Sequence, residues 1–170
     1  KDGAYLFCYF VGNEVNEQQI HLAVSTDGYR FTALNNNEPI IDQKLGTGCV
    51  RDPYIFKAKD TEGKDCYYIV ATDMDAELGW TSNHAVIFWK SYDLVNWQDE
   101  YVLDIRDFEG WEGCNRAWAP QVIWDAEEGK YMLYLALSEF DDPATPENED
   151  IAQHYYLYTT EFKNFTAPEY

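Results

Sequence analysis

Positive charge is scarce in this 170-residue sequence: 12 Lys and Arg stand against 31 Asp and Glu, a formal charge of −19. A chain this acidic repels polyphosphates and anionic lipid, so neither nucleic acid nor membrane is an expected partner. Neutral ligands such as sugars are not excluded by charge. Long apolar runs are also missing, and none approaches the ~18 residues of a membrane-spanning helix. The opening Lys1-Asp2-Gly3 leads straight into a strand-like run, without the pattern of a signal peptide. Cysteine is sparse and scattered. Cys8, Cys49, Cys66 and Cys114 form no C-x-x-C pair, which argues against a zinc site or a thioredoxin-type motif. They read as small buried hydrophobes, with room for one disulfide, and they leave the compartment open. His21, His84 and His154 share no metal-ligand spacing; His21 and His154 read as structural. No phosphate loop, dinucleotide fingerprint, nucleophile elbow or calcium loop occurs, so no metal and no cofactor is expected. Helix signals are nearly absent.

Aromatics are plentiful. Six Trp, 14 Tyr and nine Phe make 17% of a chain that is 46% apolar, which argues against disorder and suits one packed domain. Their placement repeats. Tyr5-Leu6-Phe7-Cys8-Tyr9, Cys66-Tyr67-Tyr68-Ile69-Val70 and Lys130-Tyr131-Met132-Leu133-Tyr134 each open a unit. Phe31, Trp97 and Phe165 close the units, separated by 66 and 68 residues. Arg51-Asp52-Pro53-Tyr54 and Trp118-Ala119-Pro120-Gln121 precede the second and third units, their prolines 67 residues apart. The runs are short, rich in Tyr, Val, Ile and Phe, and bounded by Gly, Asp, Asn and Pro, so they read as strands. Asp27-Gly28, Glu62-Gly63 and Glu128-Gly129 read as hairpin turns. Residues 60–65 and 141–150 read as polar loops.

A unit of about 65 residues holding four strands predicts a propeller blade. The units fall near 4–34, 50–103 and 117–168, about two and a half blades of one incomplete domain. The first starts without an inner strand. Blades need neighbours to bury both faces, so the remaining blades are expected from further sequence or from another chain.

Inner strands line the propeller axis, which makes Asp52 the first candidate for chemistry. Trp118 falls at the same height in the next unit, where an indole face suits the apolar face of a sugar ring. Trp80 and Trp111 lie in loops that border a cleft. His84 follows the Trp80-Thr81-Ser82-Asn83 loop, within reach of a ligand. Trp89, Trp97 and Trp124 occupy repeat positions and read as core. Glu62, Asp65, Asp73, Asp75 and the acids of 99–112 read as solvated surface charges.

These motifs resemble glycoside hydrolase family 43, the arabinanases, arabinofuranosidases and β-xylosidases built on a five-bladed β-propeller. The resemblance rests on Arg51-Asp52-Pro53-Tyr54-Ile55, on Trp118-Ala119-Pro120-Gln121-Val122, on Ser91-Tyr92-Asp93-Leu94-Val95-Asn96-Trp97, and on Gly129-Lys130-Tyr131-Met132-Leu133-Tyr134. It implies a carbohydrate substrate containing arabinose or xylose, Asp52 as general base, and Trp118, Ala119 and Pro120 shaping the pocket; Gln121, where some relatives carry an acid, and the loop candidates Trp80 and His84 are further residues expected around the sugar. The family's pKa-tuning Asp and its acid Glu lie in later blades, and neither is found here. Inverting hydrolysis needs both a base for water and an acid for the leaving oxygen, about 6.5–9.5 Å apart. The 170 residues alone are therefore expected to be inactive. A sugar-binding propeller without activity is the alternative. A relative of the invertase-like family 32 is another, though the Asn-Asp-Pro-x-Gly motif expected there is absent.

Overall fold

The computed structural model describes residues 3–81, 83–138 and 152–170. Ten strands form among them: β1 Tyr5–Tyr9, β2 His21–Ser25, β3 Thr32–Ala33, β4 Val50–Lys59, β5 Asp65–Asp73, β6 Ala85–Ser91, β7 Trp97–Asp104, β8 Arg116–Asp125, β9 Lys130–Ser138 and β10 Gln153–Thr159. The only helices among the described residues are three single 3₁₀ turns. The strands pair antiparallel into three sheets, β1-β2-β3, β4-β5-β6-β7 and β8-β9-β10. The protein is all β, with each sheet made from consecutive strands. After β10 only isolated pairs form, Thr159 with Phe165 and Tyr156 with Glu169. The polar loop expected at 141–150 lies outside the described residues.

The middle sheet is covered on both faces. Tyr68, Val70, Val86, Phe88 and Leu103 pack with Leu133, Leu135, Leu137 and Leu157 of the third sheet. Ile69, Ala71, Ile87 and Trp89 pack with Cys8 and Leu22 of the first, and with Ile20 just before β2. Alternate residues of one strand thus enter two different cores, so 67–71 and 86–89 read as unbroken apolar runs. Each such side chain removed from water contributes roughly 1.5–3 kcal/mol.

The repeat has a physical basis in its turns. Ser25 Oγ accepts from Gly28 N at 2.8 Å, and Asp27 Oδ1 accepts from Tyr29 N and Arg30 N, both at 2.8 Å. Ser91 and Asp93 make the same set to Leu94, Val95 and Asn96, at 2.9, 2.9 and 2.8 Å. These donors hold both carboxyls below the usual carboxylate range. In the third copy Thr159 accepts from Phe162 N at 3.0 Å, but Glu161, one methylene longer, accepts instead from the Asn164 side chain. All three turns need a left-handed residue, and it falls at Gly28, Leu94 and Phe162, with φ of 75°, 65° and 58°.

Several expectations are corrected. Trp111 does not border a cleft: it is buried, with Tyr155 edge-on at 4.8 Å. Trp124 is not core but 55% exposed. Asp73 is not a solvated surface charge. It is 5% exposed and accepts from Thr47 N at 2.9 Å, Thr47 Oγ1 at 2.8 Å and Gln43 Nε2 at 3.2 Å. Burial raises its pKa despite these donors, and the carboxylate ties the loop around Gly46 to the end of β5. All four cysteines are buried and free.

Candidate active site

Two bulges shape the site. The register of β4 on β5 slips between Arg51 and Tyr54, and that of β8 on β9 slips between Trp118 and Gln121. Each slip centres on an X-Pro step, and the residue before proline is left-handed in both: Asp52 at φ 49° and Ala119 at φ 50°. Proline offers no ladder N–H, so a bulge is where a strand tolerates it. The left-handed conformation comes more readily to Asp, while for Ala it costs roughly 1–2 kcal/mol. The bulge re-aims the residue it contains.

Asp52 is exposed at the start of β4, and its Oδ2 accepts from Thr72 Oγ1 at 3.3 Å. The same hydroxyl accepts from Ala119 N at 3.0 Å. Buried Thr72 on β5 therefore joins the two bulges and sets the Asp52 carboxylate beside the backbone of the third sheet. Arg51 turns elsewhere. Its Nη1 donates to Asn13 Oδ1 at 2.7 Å, and its guanidinium lies 4.6 Å from the Phe10 ring centre and 5.6 Å from that of Trp80. No ion pair joins Arg51 to Asp52. The carboxylate thus faces solvent without a cation to neutralise it.

Trp118 is half-buried. Its Nε1 donates to Asn83 Oδ1, Trp80 stands edge-on at 6.5 Å, and the Arg116 guanidinium lies 5.2 Å from its ring centre. Trp80 is 56% exposed. Trp80, Trp118 and Arg51 therefore form one aromatic and cationic wall. Gln121 sits just beyond the second bulge, where its Oε1 accepts from Tyr134 Oη at 2.5 Å. His84 is drawn away from this group. Its Nδ1 bonds Asp104 Oδ1 at 2.8 Å, and its carbonyl accepts from Ile105 N at 3.0 Å, bracing the start of β6 against the end of β7.

Sequence reasoning missed Thr72, Asn83 and Phe10. Thr72 is a hydroxyl ending the apolar run 67–71, which reads as an ordinary strand end until the β4–β5 register sets it opposite Arg51. Among the described residues, no group of three or more His, Cys, Asp or Glu is arranged to hold a metal ion. An exposed carboxylate can accept a proton, and the Trp80–Trp118 wall offers apolar ring faces. Donating a proton as well would need a second acid.

The chain is 29% identical over 162 residues to an α-L-arabinofuranosidase of Bifidobacterium longum subsp. longum, an alignment covering 84% of this chain and 15% of that protein. It therefore spans about 15% of the length of that curated relative. An exo-β-1,3-galactanase structure from Clostridium thermocellum aligns with 21% identity and a TM-score of 0.47, over 69% of this chain and 27% of that one. Residues 2–170 match the model of the family 43-related group described as a probable glycosyl hydrolase domain. The chain belongs to that glycoside hydrolase family 43-related family.

Proposed function

We propose that this chain is part of an inverting glycosidase acting on arabinose- or xylose-containing plant polysaccharide or oligosaccharide, with Asp52 as general base. The observation that carries this reading is the Asp52 carboxylate itself. It is exposed, left-handed at a bulge, held by one hydroxyl and unpaired with its neighbour Arg51. Such a group keeps free lone pairs for a water. Trp118 and Trp80 bind the sugar ring, and Gln121 supplies a side-chain amide to its hydroxyls.

The three sheets act as about two and a half blades of a five-bladed propeller. The middle sheet is the one four-stranded sheet among the described residues, and it is covered on both faces. The first sheet leaves Tyr5 58% and Phe7 51% exposed, with Phe31 packed on Phe7 and 41% exposed, a face that a further blade would cover. The acid that protonates the leaving oxygen comes from the rest of the propeller.

The test is Asp52→Asn in the full-length protein, assayed on arabinoxylan, arabinan and aryl-glycosides. The expected loss in kcat is about 10²–10⁴-fold, with KM and melting temperature largely kept. A variant that melts lower yet turns over nearly as fast would make Asp52 a structural residue. Sugar binding by a wild-type protein that hydrolyses none of these substrates would favour a binding propeller instead.

A further inference from the structure

The strand that carries Trp118 at one end carries a second exposed indole at the other. Trp124 lies one residue before the end of β8 and is 55% exposed. Its ring is not loose. Tyr131 packs against it edge-on, with centroids 4.8 Å apart, and the Tyr131 hydroxyl in turn accepts from Lys59 N at 2.9 Å. The indole borders a cavity of about 510 Å³ between the second and third sheets, lined by Lys59, Asp60, Trp124, Gly129, Tyr131 and Thr160. That volume lies within the roughly 300–1,000 Å³ usual for small-molecule sites. Gly129, in the left-handed turn conformation, leaves open space where a side chain would stand.

The walls of this cavity are built into the fold. Asp60 Oδ1 accepts from Glu62 N at 3.0 Å and Lys64 N at 2.9 Å, and Oδ2 accepts from Tyr92 Oη at 2.7 Å. The facing turn repeats the device: Asp125 accepts from Glu127 N at 2.9 Å and from Tyr158 Oη at 2.7 Å. Both carboxyls are thereby held below their usual pKa, each first by its tyrosine, so they remain acceptors with a fixed direction. Lys59 Nζ is held by Asp65 Oδ1 at 2.6 Å. The Thr160 hydroxyl lies at the exposed rim.

From this geometry we propose a second carbohydrate-binding site at Trp124, at the opposite end of the sheets from Asp52. Seven residues of β4 separate Asp52 from Lys59, roughly 20 Å at the rise of a strand. The occupant is a neutral pentose- or hexose-containing oligosaccharide. Trp124 and Tyr131 offer an apolar wall for the C–H face of a sugar ring, and Asp60, Lys59 and Thr160 offer partners for its hydroxyls. An anionic ligand is disfavoured, because Asp60 lines the cavity, Asp125 follows Trp124 directly, and the chain carries −19 overall. The site holds a polysaccharide chain near the enzyme and takes no part in bond cleavage. The inference rests on the carbohydrate reading above, and its test separates the two.

Trp80 and Trp124 are similarly exposed, at 56% and 55%, so N-bromosuccinimide should oxidise both in the full-length protein. Oxidation is followed for each indole by peptide mass spectrometry, with and without arabino-oligosaccharide or xylo-oligosaccharide. A fivefold or greater slowing at Trp124 is expected, and it should persist in a Trp80→Ala variant. Trp124→Ala should weaken retention in native gels containing arabinoxylan by at least tenfold, with unchanged hydrolysis of a soluble aryl-glycoside. Protection at Trp80 with none at Trp124 overturns the second site and leaves the proposed function standing. Protection at neither residue overturns both.

Discussion

At Asp52 a charged residue accepts an uncommon backbone conformation, and one neighbouring hydroxyl supports it. Thr72 Oγ1 serves two bulges at once, donating to Asp52 and accepting from Ala119 N. Thr72→Val keeps the shape and removes both bonds. It should destabilise the protein by about 1 kcal/mol and lower kcat more than it raises KM, because the base loses its orientation. Thr72→Ser should restore both, as read by urea denaturation and steady-state kinetics on the full-length protein. A valine variant with wild-type kcat would deny Thr72 its positioning role. The cysteines give a second residue-scale test. Burial pushes the Cys8 thiol up to about 12 and those of Cys49 and Cys114 up to about 11. Native protein should therefore leave these thiols unreacted with a disulfide reagent at pH 8, while guanidinium should expose them.

The turns that follow β2, β6 and β10 show how one element tolerates different residues. Each needs a left-handed residue, supplied by Gly28, Leu94 and Phe162. Phe162 is the costly choice, and packing repays it. Its ring lies 4.4 Å from Tyr68, 4.8 Å from Tyr131 and 5.3 Å from Phe56, joining the second and third sheets. Phe162→Ala should cost about 3–5 kcal/mol, measured by chemical denaturation. Phe162→Gly relieves the backbone but keeps the cavity, so it should recover only part of that loss. Acid stability belongs to the same scale. Asp27 and Asp93 are lowered by donors present only in the fold, and hydrogen bonds from Lys57 and Lys59 lower Asp65 to about 2. The folded pKa values lie below the unfolded value near 3.9, so the folded state binds fewer protons in that interval. Their stabilisation is complete above about pH 4 and is lost as pH falls towards 2. Asp93→Asn, whose Oδ1 can still accept from the turn, should make unfolding free energy less steep in pH between 4 and 2. An unchanged slope would remove Asp93 from the acid response.

For the molecule as a whole, the sheets form a series in which the middle one is enclosed by its neighbours. The chain carries a formal charge of −19, and Trp80 and Trp124 leave their indoles exposed. Under the proposed function, a base without its acid cannot complete inverting hydrolysis at a useful rate. The 170 residues alone should release no detectable sugar from arabinan or arabinoxylan. Aryl-glycosides are the less stringent substrates, since their leaving groups need little protonation. Robust turnover of either class by these residues would show that a carboxylate within them serves as acid.

Strand identity, the period near 66 residues and the Ser-x-Asp turns were legible in the sequence. They depend on side chains interacting with backbone a few residues away, or on alternation along one strand. The all-β class follows from the same local signals. The Asp52-Pro53 and Ala119-Pro120 steps were visible as a repeated motif, but the bulges that turn them required the pairing register with β5 and β9. Burial was decided only by the tertiary structure. Trp124 shares its repeat logic with Trp89, yet Trp89 lies between two sheets while Trp124 overhangs a cavity at the sheet end. Locally, Asp73 reads as a surface charge and Trp111 as a loop residue bordering a cleft, and both are buried by segments distant in sequence, the 43–47 loop and β10. A sequence states which side chains share a strand face. Only the packing of sheet on sheet decides whether that face meets another core or water.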